Sequence, residues 1–204
     1  MKTRISIFLL LLAAAPLFAD TFTFKADHMS GSRAAGREML VLTGNAEVHS
    51  DTMLLRADRI EIQGKDNEFI DCSGNVWGME EEKNILFQTD RLRYDRTQKI
   101  ARLEGNSTLE DRQNEVVAKG RFIEYNDKSE IAVMQVAVRL FKENIVARSE
   151  YAVYRRNDKM LDLSGFPVVF KKSDEFRAER IRVDLDTEDV SMEGAVSGSI
   201  KSEE

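Results

Sequence analysis

The chain has 204 residues, with 30 basic and 36 acidic side chains and a formal net charge of −6. Charges of both signs alternate along it, and a net negative chain without a basic patch is unsuited to tracking the phosphates of a nucleic acid. A single cysteine, Cys72, excludes an internal disulfide, so packing and backbone pairing must stabilise the fold.

The N-terminus has the pattern of a secretory signal peptide, predicted at residues 1–19. Lys2 and Arg4 precede an apolar run that is shorter than the roughly 20 residues needed to span a bilayer, and small residues lead to a cleavage point after Ala19. A retained N-terminal anchor is the alternative interpretation. Cleavage would leave residues 20–204 as one exported domain, a length that suits a single core.

A glycine-centred motif recurs along the remaining chain at intervals of 29 to 31 residues. Five of its centres carry glycine and one expected centre does not: Gly44, Gly74, Gly105, Gln135, Gly165 and Gly194. A period this regular indicates a repeat architecture with one supersecondary unit per repeat.

Apolar and small side chains alternate with polar ones around each of these centres. Leu42 and Ala46, for example, lie at even offsets from Gly44. This period of two is typical of a strand with one buried face. Because the parity is kept through each glycine, the prediction is a bent but continuous strand. A Gly-Asn hairpin turn is the alternative at three of the centres, Gly44, Gly74 and Gly105.

A second motif, centred on an acidic residue, interleaves with the first. Its clear copies lie at Asp27, Asp58, Asp90 and Glu179, and weaker copies lie at Gly120 and Glu150. The alternation slips by one residue at these centres, which predicts a β-bulge or corner. Recurrence once per repeat favours a structural role for the acids over a carboxylate pair for glycoside cleavage.

Polar runs between the motifs predict the turns, at residues 64–67, 80–84, 111–114 and 126–129. Strands that pair with their sequence neighbours would then stack into an elongated, all-β sheet sandwich with one interior along its length.

The interleaved Ala-Asp and Gly-Asn motifs resemble the organic-solvent-tolerance-like (OstA/LptA-like) family of periplasmic lipopolysaccharide-transport proteins. The resemblance also rests on the signal peptide and on the size of the mature chain, and it extends from Phe22 to Ile200. It implies an elongated, open β-jellyroll of antiparallel strands in the periplasm. It also implies a V-shaped interior that shelters the acyl chains of lipopolysaccharide or a related glycolipid between the inner and outer membranes.

The candidate lipid-binding residues are those predicted to face this interior. They are Leu40, Leu42, Ile60, Ile70, Cys72, Leu92, Leu103, Leu163, Ile181 and Met192. Transfer of ten methylenes from water into such an interior contributes roughly 8 kcal/mol. The simpler interpretation of each residue is that it only fills a core.

The two ends of the array are predicted to carry exposed edge strands, at Phe22–Ala26 and Ala195–Ile200. Free backbone donors and acceptors on such edges pair readily with another sheet, so end-to-end contact with other jellyroll envelope-transport proteins, or with a second copy, is expected. Alternatively, the charged tail at residues 201–204 only blunts the last edge.

Signals of catalysis or of a cofactor are weak. The two histidines, His28 and His49, lack the partner residues of a metal-binding motif, and neither a serine-hydrolase elbow nor a phosphate-binding glycine loop occurs. The prediction is therefore a carrier rather than an enzyme. The alternatives are an inner-membrane-attached, LptC-like partner of the same transport system, a structural β-repeat module without ligand, and a glycan-active β-solenoid enzyme.

Overall fold

The computed structural model describes residues 23–32, 34, 38–50 and 52–201, so the predicted signal peptide lies outside the described residues. Within them the chain forms an antiparallel sheet and one 3₁₀ turn at Lys65–Asn67. The strands are β1 Thr23–Lys25, β2 His28–Ser32, β3 Met39–His49, β4 Met53–Gln63, β5 Phe69–Glu80, β6 Ile85–Asp95, β7 Ile100–Asp111, β8 Val116–Asn126, β9 Ile131–Lys142, β10 Ile145–Arg155, β11 Met160–Ser164, β12 Val168–Lys171, β13 Asp174–Arg177, β14 Arg180–Asp184, β15 Val190–Glu193 and β16 Ser197–Ser199.

The eight long strands, β3 to β10, form a meander in which each pairs with its neighbours in sequence. Alternating apolar side chains explain this: in β7, Leu103 and Leu109 are buried while Glu104 is exposed. The ends of the sheet do not close on each other, because β1 and β2 lie at one end and β15 and β16 at the other. The predicted open, antiparallel, all-β architecture is confirmed.

Three glycine centres, Gly44, Gly74 and Gly105, lie inside strands at breaks in the pairing register. Gly165 lies between the short strands β11 and β12, and Gly194 lies between β15 and β16. Between β3 and β4 the register shifts between Thr43 and Ala46, so that Gly44 and Asn45 bulge out, and pairing continues on both sides. Both residues have positive φ values, 75° and 46°. The strand therefore bends and continues, as predicted, and the hairpin alternative at these glycines is wrong.

The acidic centres cover the glycine bulges of the following strand. Asn75 Nδ2 donates a hydrogen bond of 2.9 Å to Asp58 Oδ2, and a Cβ added at Gly74 would lie 2.9 Å from Cβ of Asp58. An acid lies equally close to the glycine in four further pairs, Asp27 with Gly44, Asp90 with Gly105, Glu150 with Gly165 and Glu179 with Gly194. The recurring acids are thus corner residues, as the repeat predicted.

The middle of the array departs from the pattern. The left-handed backbone lies at Val136 and Ala137, with φ values of 64° and 55°, one residue later than the centre predicted at Gln135. The preceding strand offers Gly120 in place of an acid, and Ala137 N instead donates to Glu150 Oε2 at 3.3 Å. A β-branched residue is strained in this region of φ, because its Cβ crowds the backbone.

The bulges divide the sheet into two halves. The first half-sheet contains β2, β11, β14 and β15, and the second contains β1, β12, β13 and β16; each long strand crosses from one half to the other at its bulge. The inward faces of both halves share one apolar core. The turns form two rows. The first lip consists of residues 64–68, 96–99, 127–130, 156–159 and 185–189. The second lip consists of residues 50, 52, 81–84, 112–115, 143–144 and 172–173.

The predicted turns and edges are found close to their expected positions. The turns agree within one or two residues, and the terminal edge strands are shorter than predicted, at Thr23–Lys25 and Ser197–Ser199. These two strands, β1 and β16, are the edges of the second half-sheet, and β2 and β15 are the edges of the first.

Substitution of Gly74 by alanine should lower the free energy of unfolding by about 2 kcal/mol or more, because an added Cβ meets Asp58 and an L-residue is strained at φ 76°. Urea denaturation followed by circular dichroism measures this change. Gly120→Ala is the matched control, since Gly120 has no left-handed φ and its nearest neighbour would be 3.4 Å from the new Cβ. Equal stability of the two variants would contradict the role given to the bulge.

Candidate functional site

A groove opens between the two lips in the N-terminal half of the sheet. Its larger part has a volume of about 310 Å³. This part is lined by Val48, Ser50, Thr52, Met53, Leu55, Ile62, Asn67, Ile70, Glu82, Tyr94, Arg96 and Lys99. A deeper part of about 50 Å³ shares four of these residues, Thr52, Met53, Tyr94 and Lys99, so the two parts are contiguous. We call them together the front groove.

The front groove has an apolar floor and polar margins. Ile85, Phe87, Leu103 and Leu109 line its deeper part, while Ser50 and Lys99 belong to opposite lips. Such a concave apolar surface with a few polar groups at its margin suits an elongated amphiphile.

The structure places all ten predicted lipid-binding residues on the inward side of the sheet. Eight are buried, and Leu40 and Met192 are partly buried. Ile70 and Leu103 line the front groove. Three others, Leu163, Ile181 and Met192, line a separate cavity of about 340 Å³ near the C-terminal edge.

Leu40 lines a cavity of about 580 Å³ beside the N-terminal edge, and the other four are packed in the core: Leu42, Ile60, Cys72 and Leu92. Burial raises the pKa of the Cys72 thiol to about 12, with a smaller contribution from Asp71, so this cysteine is an unreactive apolar side chain. Lipid contact by the ten residues stays a prediction.

The ten candidates do not include several residues that line the groove, among them Met53, Tyr94, Lys99 and Tyr125. Each lies in or beside a polar turn. Because every strand runs from a central bend to a lip, proximity to a turn indicates a residue that can reach the groove, whereas proximity to a glycine centre indicates a residue near the bend. That signal was present in the sequence.

A network of charged side chains joins the two lips at the inner end of the front groove. Lys83 Nζ of the second lip lies 2.6 Å from Asp127 Oδ1 and 3.2 Å from Glu130 Oε1, both on the first lip. Arg156 Nε lies 3.0 Å from Asp111 Oδ2 and its Nη1 lies 2.6 Å from Glu130 Oε2. We call these five residues the clasp.

The clasp is largely removed from water. Asp111 is fully buried, Arg156 is 7% exposed, and Tyr154 donates a hydrogen bond of 2.9 Å to Asp111 Oδ2. Burial acts to raise the pKa of Glu130, but hydrogen bonds from Arg156 and Lys83 outweigh it, and the pKa of Glu130 is lowered. Each charge of the clasp is therefore stabilised by an opposite charge of the same network.

The clasp separates the front groove from a filled core. Asp127 belongs to the clasp and also lines the deeper part of the groove. Beyond it, the inward residues of the central strands are fully buried: Ala118, Leu140, Ala147, Ala152 and Val169. The interior is thus open in front of the clasp and packed directly behind it, and the separate cavity of about 340 Å³ lies further on, near the C-terminal edge.

An open antiparallel β-jellyroll with an apolar groove between its lips is the class of protein that this fold defines. The family model for the LptA/(LptD N-terminal domain) LPS transport protein matches residues 23–131, more than half of the chain. The chain belongs to this family of lipopolysaccharide-transport proteins, as the sequence resemblance predicted.

The comparisons with individual proteins do not extend the family assignment. A search of curated proteins gives no match. Among solved structures, the crystal structure of LptH, the LptA homologous periplasmic component of the conserved lipopolysaccharide transport device from Pseudomonas aeruginosa, is 13% identical, covering 90% of this chain and 96% of that chain, with a TM-score of 0.29. The family assignment rests on the family model.

No helix in the described residues has the length and apolar character needed to cross a membrane. No group of three or more histidine, cysteine, aspartate or glutamate side chains among them is arranged to hold a metal ion.

Replacement of Arg156 by methionine should lower the free energy of unfolding by about 3 to 5 kcal/mol, because it leaves Asp111 buried without its cation. Thermal and urea denaturation measure the change. Arg102→Met is the control. Arg102 Nε lies 2.7 Å from Glu124 Oε2, and the two side chains are 38% and 33% exposed. That variant should lose at most about 1 kcal/mol.

The clasp should also give the protein an acid-sensitive stability. Since the pKa of Glu130 is lower in the folded than in the unfolded state, its contribution is present above the unfolded pKa and is lost as the pH falls through the folded pKa. Wild type should therefore lose stability more steeply on acidification than Glu130→Gln, and the two curves should converge in acid. Parallel curves from pH 7 to pH 3 would contradict this role of Glu130.

Proposed function

We propose that the protein is a periplasmic carrier of lipopolysaccharide or a related glycolipid between the inner and outer membranes. Acyl chains occupy the front groove, and the sugar head remains in water outside the lips. The observation that carries this proposal is the apolar groove between two polar lips, in a chain that belongs to a lipopolysaccharide-transport family.

The energetics of the groove suit reversible carriage. Burial of ten methylenes contributes roughly 8 kcal/mol. Loss of translational and rotational freedom offsets about 4 kcal/mol or more of that gain. Met53, which lines both parts of the groove, has an unbranched side chain that adapts to chains of different shape. The net result is a ligand that is held without covalent chemistry and can be released.

The ends of the sheet support end-to-end contact in this proposal. β1 and β2 leave Phe24 and Met29 exposed at one end, and Val196 and Ile200 are exposed at the other. Backbone groups of an edge strand pair with another edge strand, and neighbouring apolar side chains add burial. The partners are other jellyroll envelope-transport proteins or a second copy of this chain.

The LptC-like alternative, an inner-membrane-attached partner of the same system, differs in its N-terminus. A carrier released into the periplasm requires cleavage after Ala19, whereas an attached partner retains residues 1–19. The intact mass of the protein purified from envelopes distinguishes them: a mass that includes residues 1–19 in the membrane fraction would identify the attached partner.

Photo-crosslinking tests the location of the lipid. A photoreactive amino acid at Met53 or Leu103 should capture lipopolysaccharide in cells that are building their envelope, because both positions line the groove. The same group at Arg102 or Glu104, which flank Leu103 and point away from the interior, should capture none. Circular dichroism of each purified variant verifies that the fold is kept.

Equal labelling on both faces, or no labelling in the groove of folded variants, would refute the carrier function. The second outcome is the one expected of a structural β-repeat module whose interior is only a core.

A further inference from the structure

Two polar atoms in the deeper part of the front groove are buried without a hydrogen-bond partner among the described residues. They are Glu80 Oε2 and Tyr125 Oη, and both residues line the cavity of about 50 Å³. Tyr125 is 7% exposed. Buried polar groups in folded proteins nearly always have partners, because an unpaired group loses its hydration without compensation. Both residues line the groove, so a molecule bound there can supply the partner.

The surroundings define the chemistry of that partner. Burial raises the pKa of Glu80, and the neighbouring charges of Asp127 and Glu82 raise it further. A negative neighbourhood disfavours an anion at this point. A phenol hydroxyl can donate and accept, and a carboxyl oxygen accepts, so the complementary partner is a neutral group that does both, a hydroxyl or a secondary amide.

The position of the two atoms along the groove defines where the partner lies on the ligand. The cavity is lined by apolar side chains such as Phe87 and Leu109 and by the lip residues Thr52 and Lys99. Glu80 and Tyr125 each lie within two residues of a lip. A group held there lies near the polar end of an alkyl chain rather than at its tip.

We propose that Glu80 and Tyr125 form a subsite within the front groove for a hydroxyl or amide group carried near the polar end of an acyl chain. The proposal rests on the carrier function proposed above and extends it, because the groove then distinguishes among chains and does not merely shelter them. A water molecule is the competing occupant, since the cavity is large enough to hold one.

The test compares two ligands that differ by a single hydroxyl, tetradecanoic acid and 3-hydroxytetradecanoic acid. Isothermal titration with the purified mature protein gives a Kd for each, and their ratio measures the preference for the hydroxyl. Tyr125→Phe and Glu80→Leu should each reduce this preference about 3- to 10-fold, the effect of one net hydrogen bond.

Two control variants separate the subsite from general disturbance of the groove. Glu80→Gln should keep the preference, because its amide oxygen can accept from the same hydroxyl and its amide nitrogen can donate to it. Tyr94→Phe should keep it as well, since Tyr94 lines the same groove and its hydroxyl is not among the buried unpaired atoms.

Stability of the ligand-free protein gives an independent readout. Tyr125→Phe should leave the Tm unchanged or raise it, because it removes a buried unpaired hydroxyl. A lowered Tm together with an unchanged ligand preference would show that water satisfies Tyr125, and would overturn the proposal.

The outcomes also distinguish this subsite from the proposed function. If both acids bind, and the ratio of their Kd values is the same for wild type and for all variants, the carrier function stands and the subsite is refuted. If neither acid binds the folded wild-type protein, the front groove does not hold acyl chains, and both proposals fail.

Discussion

The contact between a carboxylate and the glycine bulge of the next strand is the constraint on which this structure depends. At Asp58 and Gly74, the acid occupies the space that a Cβ would need, and Asn75 donates to it. Repetition of this contact bends each strand at the same level, which turns one meandering sheet into two facing halves. Both the shared core and the two lips follow from that bend.

Position along a strand therefore determines what an inward residue does. Residues beside the bend, such as Leu42 and Cys72, fill the angle between the half-sheets, whereas residues beside a turn, such as Met53 and Tyr94, line the mouth. An apolar side chain near the bend is needed to hold the two halves together. An apolar side chain near the lips can replace some of its contacts within the protein with contacts to a ligand.

The sequence was sufficient to predict the repeat, the continuous bent strands, the corner acids and the turns. Each of these features has a local pattern of residue spacing or of alternation between apolar and polar side chains. The clasp has none: Lys83 and Asp127 are 44 residues apart, and Arg156 reaches Asp111 across 45. Val136 and Ala137 carry a bulge without a glycine, so composition pointed to the wrong residue there. Local patterns thus predicted the scaffold, and only the fold shows how distant charges divide its interior.

The clasp sets a physical condition on any transport along the whole interior. Each lip is held as a unit by backbone hydrogen bonds between successive turns, for example Asp127 N to Lys99 O on the first lip and Arg112 N to Asn84 O on the second. Lips stiffened in this way would separate by opening at the bend rather than by unravelling turn by turn. Opening exposes charges that now neutralise each other, and water can rehydrate them, so the cost is smaller than that of removing one partner. An acyl chain that passes from the front groove towards β11 and β14 would therefore meet both the clasp and the packed core behind it, where Leu140 and Val169 are fully buried.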